Sequence, residues 1–207
     1  MTTAEKLTTI AANQEKVYNA GYEKGNTEGG NAVYNTFWDY YQDSGNRTDY
    51  QYAFSYSGWR NANFKPKYPL TNITNAANMF TRCKLTKIEV PLDISNSSSA
   101  SMMFNNAQSL ATISEITIGT KVTNCSNMFA SCSALKNIKI LGTIVCDFPM
   151  GDCPLNKESI EYVYEALSTS VSGKTCTLKK TAVNAAFTDE EWKALTDAKD
   201  NWTFTLV

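Results

Sequence analysis

Hydrophobic positions in the middle of the chain recur at a fixed interval, and this repeat is the most informative pattern in the sequence. The dipeptide Met-Phe stands at residues 79–80, 103–104 and 128–129, at spacings of 24 and 25 residues. Leucine and then isoleucine follow each dipeptide at equivalent steps, and a short alternating segment comes next. Each repeat therefore predicts one strand, and successive strands are expected to form a parallel sheet with their apolar residues stacked in columns. The equivalent positions are Cys83, Ala107 and Cys132, then Leu85, Leu110 and Leu135, then Ile88, Ile113 and Ile138.

The pattern changes from residue 153 onwards and predicts a cap that closes the repeats. Cys153 is expected to begin a fourth unit in the cysteine column, and Asn156 can cap a helix from Lys157 to Ser168. Ile160, Val163, Tyr164 and Leu167 form the apolar face of that helix. The remaining predicted elements are a strand at Lys174 to Leu178, a helix from a capping box at Thr188 to about Lys199 with Trp192 and Leu195 inward, and a strand at Trp202 to Val207.

The first part of the chain, residues 1 to about 43, has helical periodicity with a narrow apolar seam. Leu7, Ile10, Gln14, Val17 and Gly21 follow a 3-4-3-4 spacing, which places them at heptad a and d positions of a coiled coil. A lone helix with so narrow a stripe is not stable in water, so residues 1–30 are assigned as a helical segment for oligomerisation or attachment. We expect a homo-oligomer, with a trimer favoured. The alternative is that residues 1–20 dock on their own domain.

Aromatic residues concentrate in the segment that follows the first helix. Twelve of the chain's 24 aromatics lie between residues 31 and 68. The pattern predicts a helical cap over the first repeat at residues 31–70, including a short helix from Thr48 to about Gly58, with the repeats and their C-terminal cap at residues 71–207. The aromatics either fill the core of that cap or form a ligand surface around Trp38, Tyr41 and Trp59 that stacks on sugar rings or contacts a partner.

Composition and charge narrow the functions that the chain can perform. There is no histidine, which excludes Ser-His-Asp and Cys-His nucleophile systems and His-ligated zinc. The net charge is -1 with no run of either sign, so no nucleic-acid partner is expected. No signal peptide and no apolar stretch of bilayer length is recognised, so we expect synthesis in a cytoplasm and no membrane insertion. The six cysteines contain no C-x-x-C pair and are interpreted as mostly reduced core thiols.

An enzyme without histidine could still use two carboxylates, as glycoside hydrolases do. Most acidic residues near the C-terminus are explained as first-turn residues of helices. Asp147 and Asp152, on either side of an expected loop at 148–151, are the one pair worth testing. We expect no enzyme, and the sequence predicts no catalytic, metal-binding or cofactor-binding residue.

A second candidate binding surface is the outward face of the repeat strands. It competes with the aromatic segment, and the sequence does not choose between the two. The outward residues are expected to include Lys87, Glu89, Thr117, Lys136 and Lys139.

The repeat units, written Met-Phe-x-x-Cys-x-x-Leu-x-x-Ile, resemble the BspA-like branch of leucine-rich repeats, which occurs in bacterial surface proteins and in virion proteins of tailed phages. The N-terminal half, which includes TAEKLTTIAANQEKVYNAGYEKG and NFKPKY, is similar to predicted phage structural proteins that pair a short helix with such repeats. The resemblance implies an α/β fold: an N-terminal helical stem, a short leucine-rich-repeat solenoid with a parallel β-sheet, and a C-terminal helix-strand cap. A firm Asn ladder after the strand, which standard leucine-rich repeats have, is missing.

The resemblance also implies a function, and it implies no catalytic residue. The expected function is that of a structural virion protein of a tailed bacteriophage, in the tail, the baseplate or a fibre. Its expected partners are other virion proteins, and receptor binding to a host cell-surface protein or glycan is the natural role of a displayed repeat domain. The alternative is a bacterial surface or interaction module of the same repeat type that binds a protein or a glycan.

Overall fold

The structure is a computed structural model, and it describes residues 48–55 and 70–207. Within these residues the chain is a mixed α/β protein with parallel sheets and three helices. Two of the sequence predictions lie outside the described residues. They are the oligomerisation seam at Leu7, Ile10, Gln14, Val17 and Gly21, and the ligand surface at Trp38, Tyr41 and Trp59.

The first sheet is built from the strand positions of the repeats. Its strands are β1 (Lys87–Ile88), β2 (Leu92–Asp93), β3 (Thr112–Ile118) and β4 (Asn137–Gly142), and all of its pairings are parallel. Strand β4 lies along one edge of β3, and β1 and β2 lie along the other. Ile113 pairs in register with Ile88 and with Ile138, which confirms the predicted isoleucine column. One extra residue in β3 after Ile113 produces a bulge.

The repeats pack on one another through a ladder of buried phenylalanines. Phe54, Phe80, Phe104 and Phe129 stack with ring centroids 4.9, 5.3 and 5.3 Å apart, and Phe148 meets the last ring edge-on at 5.8 Å. Such stacked pairs add to the free energy gained from burying each ring. The ladder therefore joins residues 48–55 to the same hydrophobic core as the repeats.

The prediction of a short helix from Thr48 to about Gly58 is wrong for the residues that the structure describes. Residues 51–55 form turns, and Tyr52 has a φ of +57°. The backbone N–H groups of Tyr50, Tyr52 and Phe54 donate to carbonyls of the next repeat instead of to a helix. The aromatic composition indicated a cap, whereas this segment forms one more turn of the repeat type.

Left-handed residues shape the turn around each phenylalanine of the ladder. The residue two positions before each ring has a φ between +54° and +58°, and the residue two positions after the later three rings has a φ between +56° and +60°. Asparagine tolerates this conformation best among residues with a side chain, and it occupies three of these seven positions. In the turns of Phe54, Phe80 and Phe104, N–H groups donate alternately to the next repeat and to a carbonyl three residues back, which pairs the backbone without a regular helix. The seven are Tyr52, Asn78, Met102, Asn127, Arg82, Asn106 and Ser131.

A polar column precedes each of these turns, five residues before the phenylalanine. At each position a side-chain oxygen accepts a hydrogen bond from the backbone N–H two residues later, at 2.9 to 3.2 Å. This local bond fixes the start of the turn. The column was not predicted, although its sequence signal is a short polar residue at a constant distance from each Phe. The four residues are Asp49, Asn75, Ser99 and Asn124.

The C-terminal part forms a second parallel sheet with three helices. Strands β5 (Phe148–Met150), β6 (Lys174–Leu178) and β7 (Trp202–Leu206) lie in that order. The helices are α1 (Lys157–Ala166), α2 (Lys180–Ala186) and α3 (Asp189–Asp197).

The caps and strands predicted for this part are largely confirmed. Asn156 caps α1 by accepting from Ser159 N–H, and Thr188 and Glu191 form the capping box of α3. Two elements were not predicted: residues 148–150 form an edge strand instead of a loop, and α2 begins without a side-chain cap. Pro149 is compatible with β5 because an edge strand leaves one side unpaired.

Lys199 is a buried lysine that joins the end of α1 to the last turn before β7. Its side chain donates from Nζ to the carbonyl oxygens of Tyr164 at 2.7 Å and Leu167 at 2.6 Å. The ammonium also lies 4.8 Å from the centre of the Tyr164 ring. Burial lowers the pKa of Lys199. The Leu167 carbonyl follows the last residue of α1 and accepts from Lys199, whereas the Tyr164 carbonyl also accepts from the N–H of Leu167 at 3.3 Å.

Replacing Lys199 by methionine is expected to lower the free energy of unfolding by about 1–3 kcal/mol, because the Leu167 carbonyl loses its Lys199 donor inside the protein. Urea unfolding followed by tryptophan fluorescence measures the change. Lys193→Met is the matched control, since Lys193 is an exposed residue of α3 that pairs with Asp197 and such pairs contribute about 0.3–0.5 kcal/mol. Equal losses in the two variants would contradict the structural role of Lys199.

Candidate functional site

A polar cleft of about 290 Å³ lies between the turn that carries Phe129 and the second sheet. It exists because the fourth unit is short: Phe148 follows Phe129 after 19 residues, whereas the earlier rings are 24 to 26 residues apart. The chain passes directly from Cys146 into β5 and does not build a full turn there. Hydroxyl and amide side chains make up half of the lining, which consists of Thr123, Asn124, Ser126, Cys146, Asp147, Phe148, Pro149, Lys174, Thr175 and Thr177.

Hydrogen bonds hold the polar walls of the cleft in place. Asp147 Oδ1 accepts from the backbone N–H of Thr175 at 2.8 Å, which joins the start of β5 to the start of β6. On the opposite wall, Asn124 Oδ1 accepts from the N–H and the hydroxyl of Ser126 at 3.0 and 2.8 Å. Lys174 and Asp147 give the lining one charge of each sign. The arrangement can offer hydrogen bonds to a polar, uncharged ligand.

Cys146 differs from most of the cysteines because its sulfur faces another sulfur. Its Sγ lies 2.7 Å from Sγ of Cys125, and both residues are buried, at 4% and 1% exposure. The side-chain hydrogen bond between Cys146 and Cys125 holds the pKa of the Cys146 thiol below its usual range. Cys146 is also the cysteine that lines the cleft.

The cysteine column predicted from the repeats is buried, and its sulfurs contact backbone oxygens. Sγ of Cys132 lies 3.1 Å from the carbonyl oxygen of Phe104, and Sγ of Cys153 lies 3.9 Å from that of Phe129. Cys153 thus repeats the contact of Cys132 one unit later, as expected for a fourth member of the column. Burial raises the pKa of Cys83 to about 11 and of Cys132 to about 12, so these thiols are held protonated.

Asp147 and Asp152, the carboxylates considered for catalysis, each bind the backbone of a neighbouring segment. Asp152 Oδ2 accepts from the N–H of Ser131 at 2.6 Å. In the two preceding repeats the equivalent N–H donates to a carbonyl of the next turn, so Asp152 replaces the carbonyl that the short fourth unit lacks. Both carboxylates therefore bind a backbone N–H group. Asp147 lines the cleft and Asp152 does not, so the two do not face a common point in it.

Changing Asp152 to alanine is expected to lower the free energy of unfolding by about 0.5–2 kcal/mol, the range for losing a side-chain cap of a backbone N–H. Asp152→Asn retains an acceptor oxygen, so its free energy of unfolding should fall clearly less. Thermal unfolding followed by circular dichroism compares the two variants. If both lose the same amount, the hydrogen bond to Ser131 does not explain why aspartate is present.

The outward face of the first sheet carries paired charges. Lys87 contacts Glu89 and Lys139 contacts Glu115, each at 2.7 Å, with lysine side chains that are 40% exposed. Lys136 is exposed and Thr117 is half-buried. A line of polar side chains crosses the same strands: Asn156 donates to Asn137, and Asn137 donates to Thr112.

Residues 48–55 and 70–207 contain no helix that is long and apolar enough to cross a membrane. In this part of the chain no three cysteine, aspartate or glutamate side chains form a group that could hold a metal ion. No family model, no curated protein and no solved structure gives a significant match to the chain. The contacts described above are therefore the basis on which a function is proposed.

Proposed function

We propose that this chain is a structural virion protein of a tailed bacteriophage, in the tail, the baseplate or a fibre. Its repeats form a short leucine-rich-repeat solenoid, which N-terminal helices display as an oligomer. The in-register isoleucine column, the phenylalanine ladder and the polar column before each turn support the solenoid. Each of these features repeats with the period of the sequence, as the stacked coils of a solenoid require.

The observation that carries a structural role is the use of Asp147 and Asp152. Their carboxylates accept backbone hydrogen bonds between neighbouring units, and the enzyme alternative depended on these two residues. The phenylalanines of the ladder and the six cysteines are likewise buried within the fold. Because these carboxylates and thiols stabilise the fold, they favour a protein that displays a surface over an enzyme.

Receptor contact, in this proposal, takes place at the polar cleft and is made with a host glycan. The lining offers threonine and serine hydroxyls, the Asn124 amide and one charge of each sign, which match sugar hydroxyls better than an apolar peptide. Three cleft copies on one stem would raise the overall affinity of a weak individual contact.

Thr123→Tyr is expected to fill the cleft and abolish binding of the purified chain to host cells. Thr120→Tyr, at an exposed position outside the lining, is the control, and equal binding of both variants would remove the cleft from the proposal.

Light scattering of the full-length chain at micromolar concentration tests the oligomeric stem. The expected mass is three times that of the 22.9 kDa chain. Leu7→Asp should reduce it to the monomer because it places a charge in the apolar seam. Thr9→Asp, off the seam, is the matched control and should leave the trimer intact. A wild-type chain that is strictly monomeric contradicts display through the stem.

A further inference from the structure

Cys125 and Cys146 come from neighbouring units, and the repeat pattern explains how they meet. Cys125 stands four residues before the phenylalanine of its turn. The equivalent positions in the preceding turns are Tyr50, Ala76 and Ala100, all of them buried. The fourth unit then brings Cys146 against Cys125, with the two sulfurs 2.7 Å apart. The alanines at this position have no thiol to exchange, whereas Cys125 has one, and it contacts the thiol of Cys146.

We propose that Cys125 and Cys146 form a redox-active dithiol, which a low-molecular-weight disulfide converts into an intramolecular disulfide between the third and fourth units. A disulfide has an S–S bond of about 2.05 Å, so the sulfurs need to approach by less than about 1 Å. The contacts of the other cysteines differ, because Sγ of Cys132 and Sγ of Cys153 lie against carbonyl oxygens. The exchange is proposed for one pair among the six thiols.

The cleft sets the order of the exchange. Cys146 lines the cleft and is 4% exposed, whereas Cys125 is not part of the lining and is 1% exposed. The Cys146 thiolate attacks one sulfur of the small disulfide, forms a mixed disulfide and releases the first small thiol. The Cys125 thiolate then attacks Sγ of Cys146 and releases the second small thiol. The protein loses two protons and two electrons, and the small disulfide is reduced to two thiols.

The lowered pKa of Cys146 supports its role as the attacking group, because the thiolate is the nucleophile in exchange. Burial raises the pKa of Cys176 to about 12 and keeps that thiol protonated. A chain that leaves a reducing cytoplasm would thus acquire one cross-link at the junction between the repeats and the C-terminal sheet.

The test uses the folded full-length chain and oxidised glutathione as the small disulfide. After incubation the protein is unfolded, its remaining thiols are alkylated, and its peptides are mapped by mass spectrometry. Free thiols are expected to fall from six to four, with one cross-linked peptide pair that contains Cys125 and Cys146 and lacks two hydrogens. Reduction should restore all six. Retention of six free thiols, or a cross-link through any other cysteine, overturns the proposal.

Two variants separate the roles of the partners. Cys125→Ala places in this column the residue that two earlier turns carry, so it should fold and accumulate a glutathione adduct on Cys146. Cys146→Ala should give neither a cross-link nor an adduct on Cys125. Cys132→Ala is the matched control and should cross-link like the wild type. An adduct of Cys125→Ala on a different cysteine would overturn the proposal even if the wild type cross-links.

Discussion

Replacing Phe104 by alanine is expected to lower the free energy of unfolding by about 3–5 kcal/mol, the range for deleting a buried aromatic side chain. Phe104 is fully buried in the middle of the ladder, and its ring stacks on Phe80 and on Phe129 at 5.3 Å each. The backbone of its turn is held by hydrogen bonds to the turns before and after it, so the surroundings cannot collapse freely into the space. The loss is therefore expected near the upper end of the range.

Denaturant unfolding of Phe104→Ala, with tryptophan fluorescence and circular dichroism as probes, measures this loss. Met102→Gly is the matched control two residues away. Met102 is 40% exposed and has a φ of +55°, so glycine removes little packing and relieves an unfavourable backbone conformation. The control should be neutral or slightly stabilising. A loss below about 1 kcal/mol for Phe104→Ala would show that the ring is not packed as described.

Gly142→Ala is expected to cost about 2–5 kcal/mol, through a positive φ and a collision with backbone. Gly142 ends β4 with a φ of +88°, and a Cβ added there would lie 2.1 Å from the carbonyl oxygen of Ile118. That carbonyl accepts a hydrogen bond from Thr143 N–H at 2.7 Å, so it cannot move away without breaking the contact between β3 and the chain after β4. The neighbouring strands must shift to accommodate even one methyl group.

Gly173→Ala separates the two causes. Gly173 also has a positive φ, of +66°, but a Cβ there would meet no atom within 4 Å. It should cost only about 1–2 kcal/mol, for the left-handed conformation alone. The difference between the midpoints of thermal unfolding of the two variants then measures the collision with Ile118. Equal destabilisation would mean that β3 and β4 are not as close as their register requires.

The features that the sequence predicted correctly are those with a local or strictly periodic signal. The isoleucine column at Ile88, Ile113 and Ile138 follows from apolar residues 25 residues apart, and the register agrees. The helix starts at Asn156 and Thr188 follow from capping side chains, which act within three residues.

The features that were missed depend on contacts across the fold or on weak local signals. Strand β5 has three residues and contains Pro149, so it forms only because β6 lies beside it. Helix α2 has no side-chain cap. Phe54 begins the ladder without a methionine before it, inside a segment whose many aromatics conceal the period. The cleft and the contact between Cys125 and Cys146 arise because the fourth unit is shorter than the others, which no residue pattern within that unit indicates.

Purified phage particles provide the most direct test of the central claim, that this chain is a displayed structural protein of a virion. Particles are isolated from lysates of cells that carry the gene, and quantitative mass spectrometry compares this chain with the major tail protein. The chain is expected in purified particles, in a constant copy number that is a multiple of three. A chain that is abundant in the lysate and absent from the particles would contradict the account.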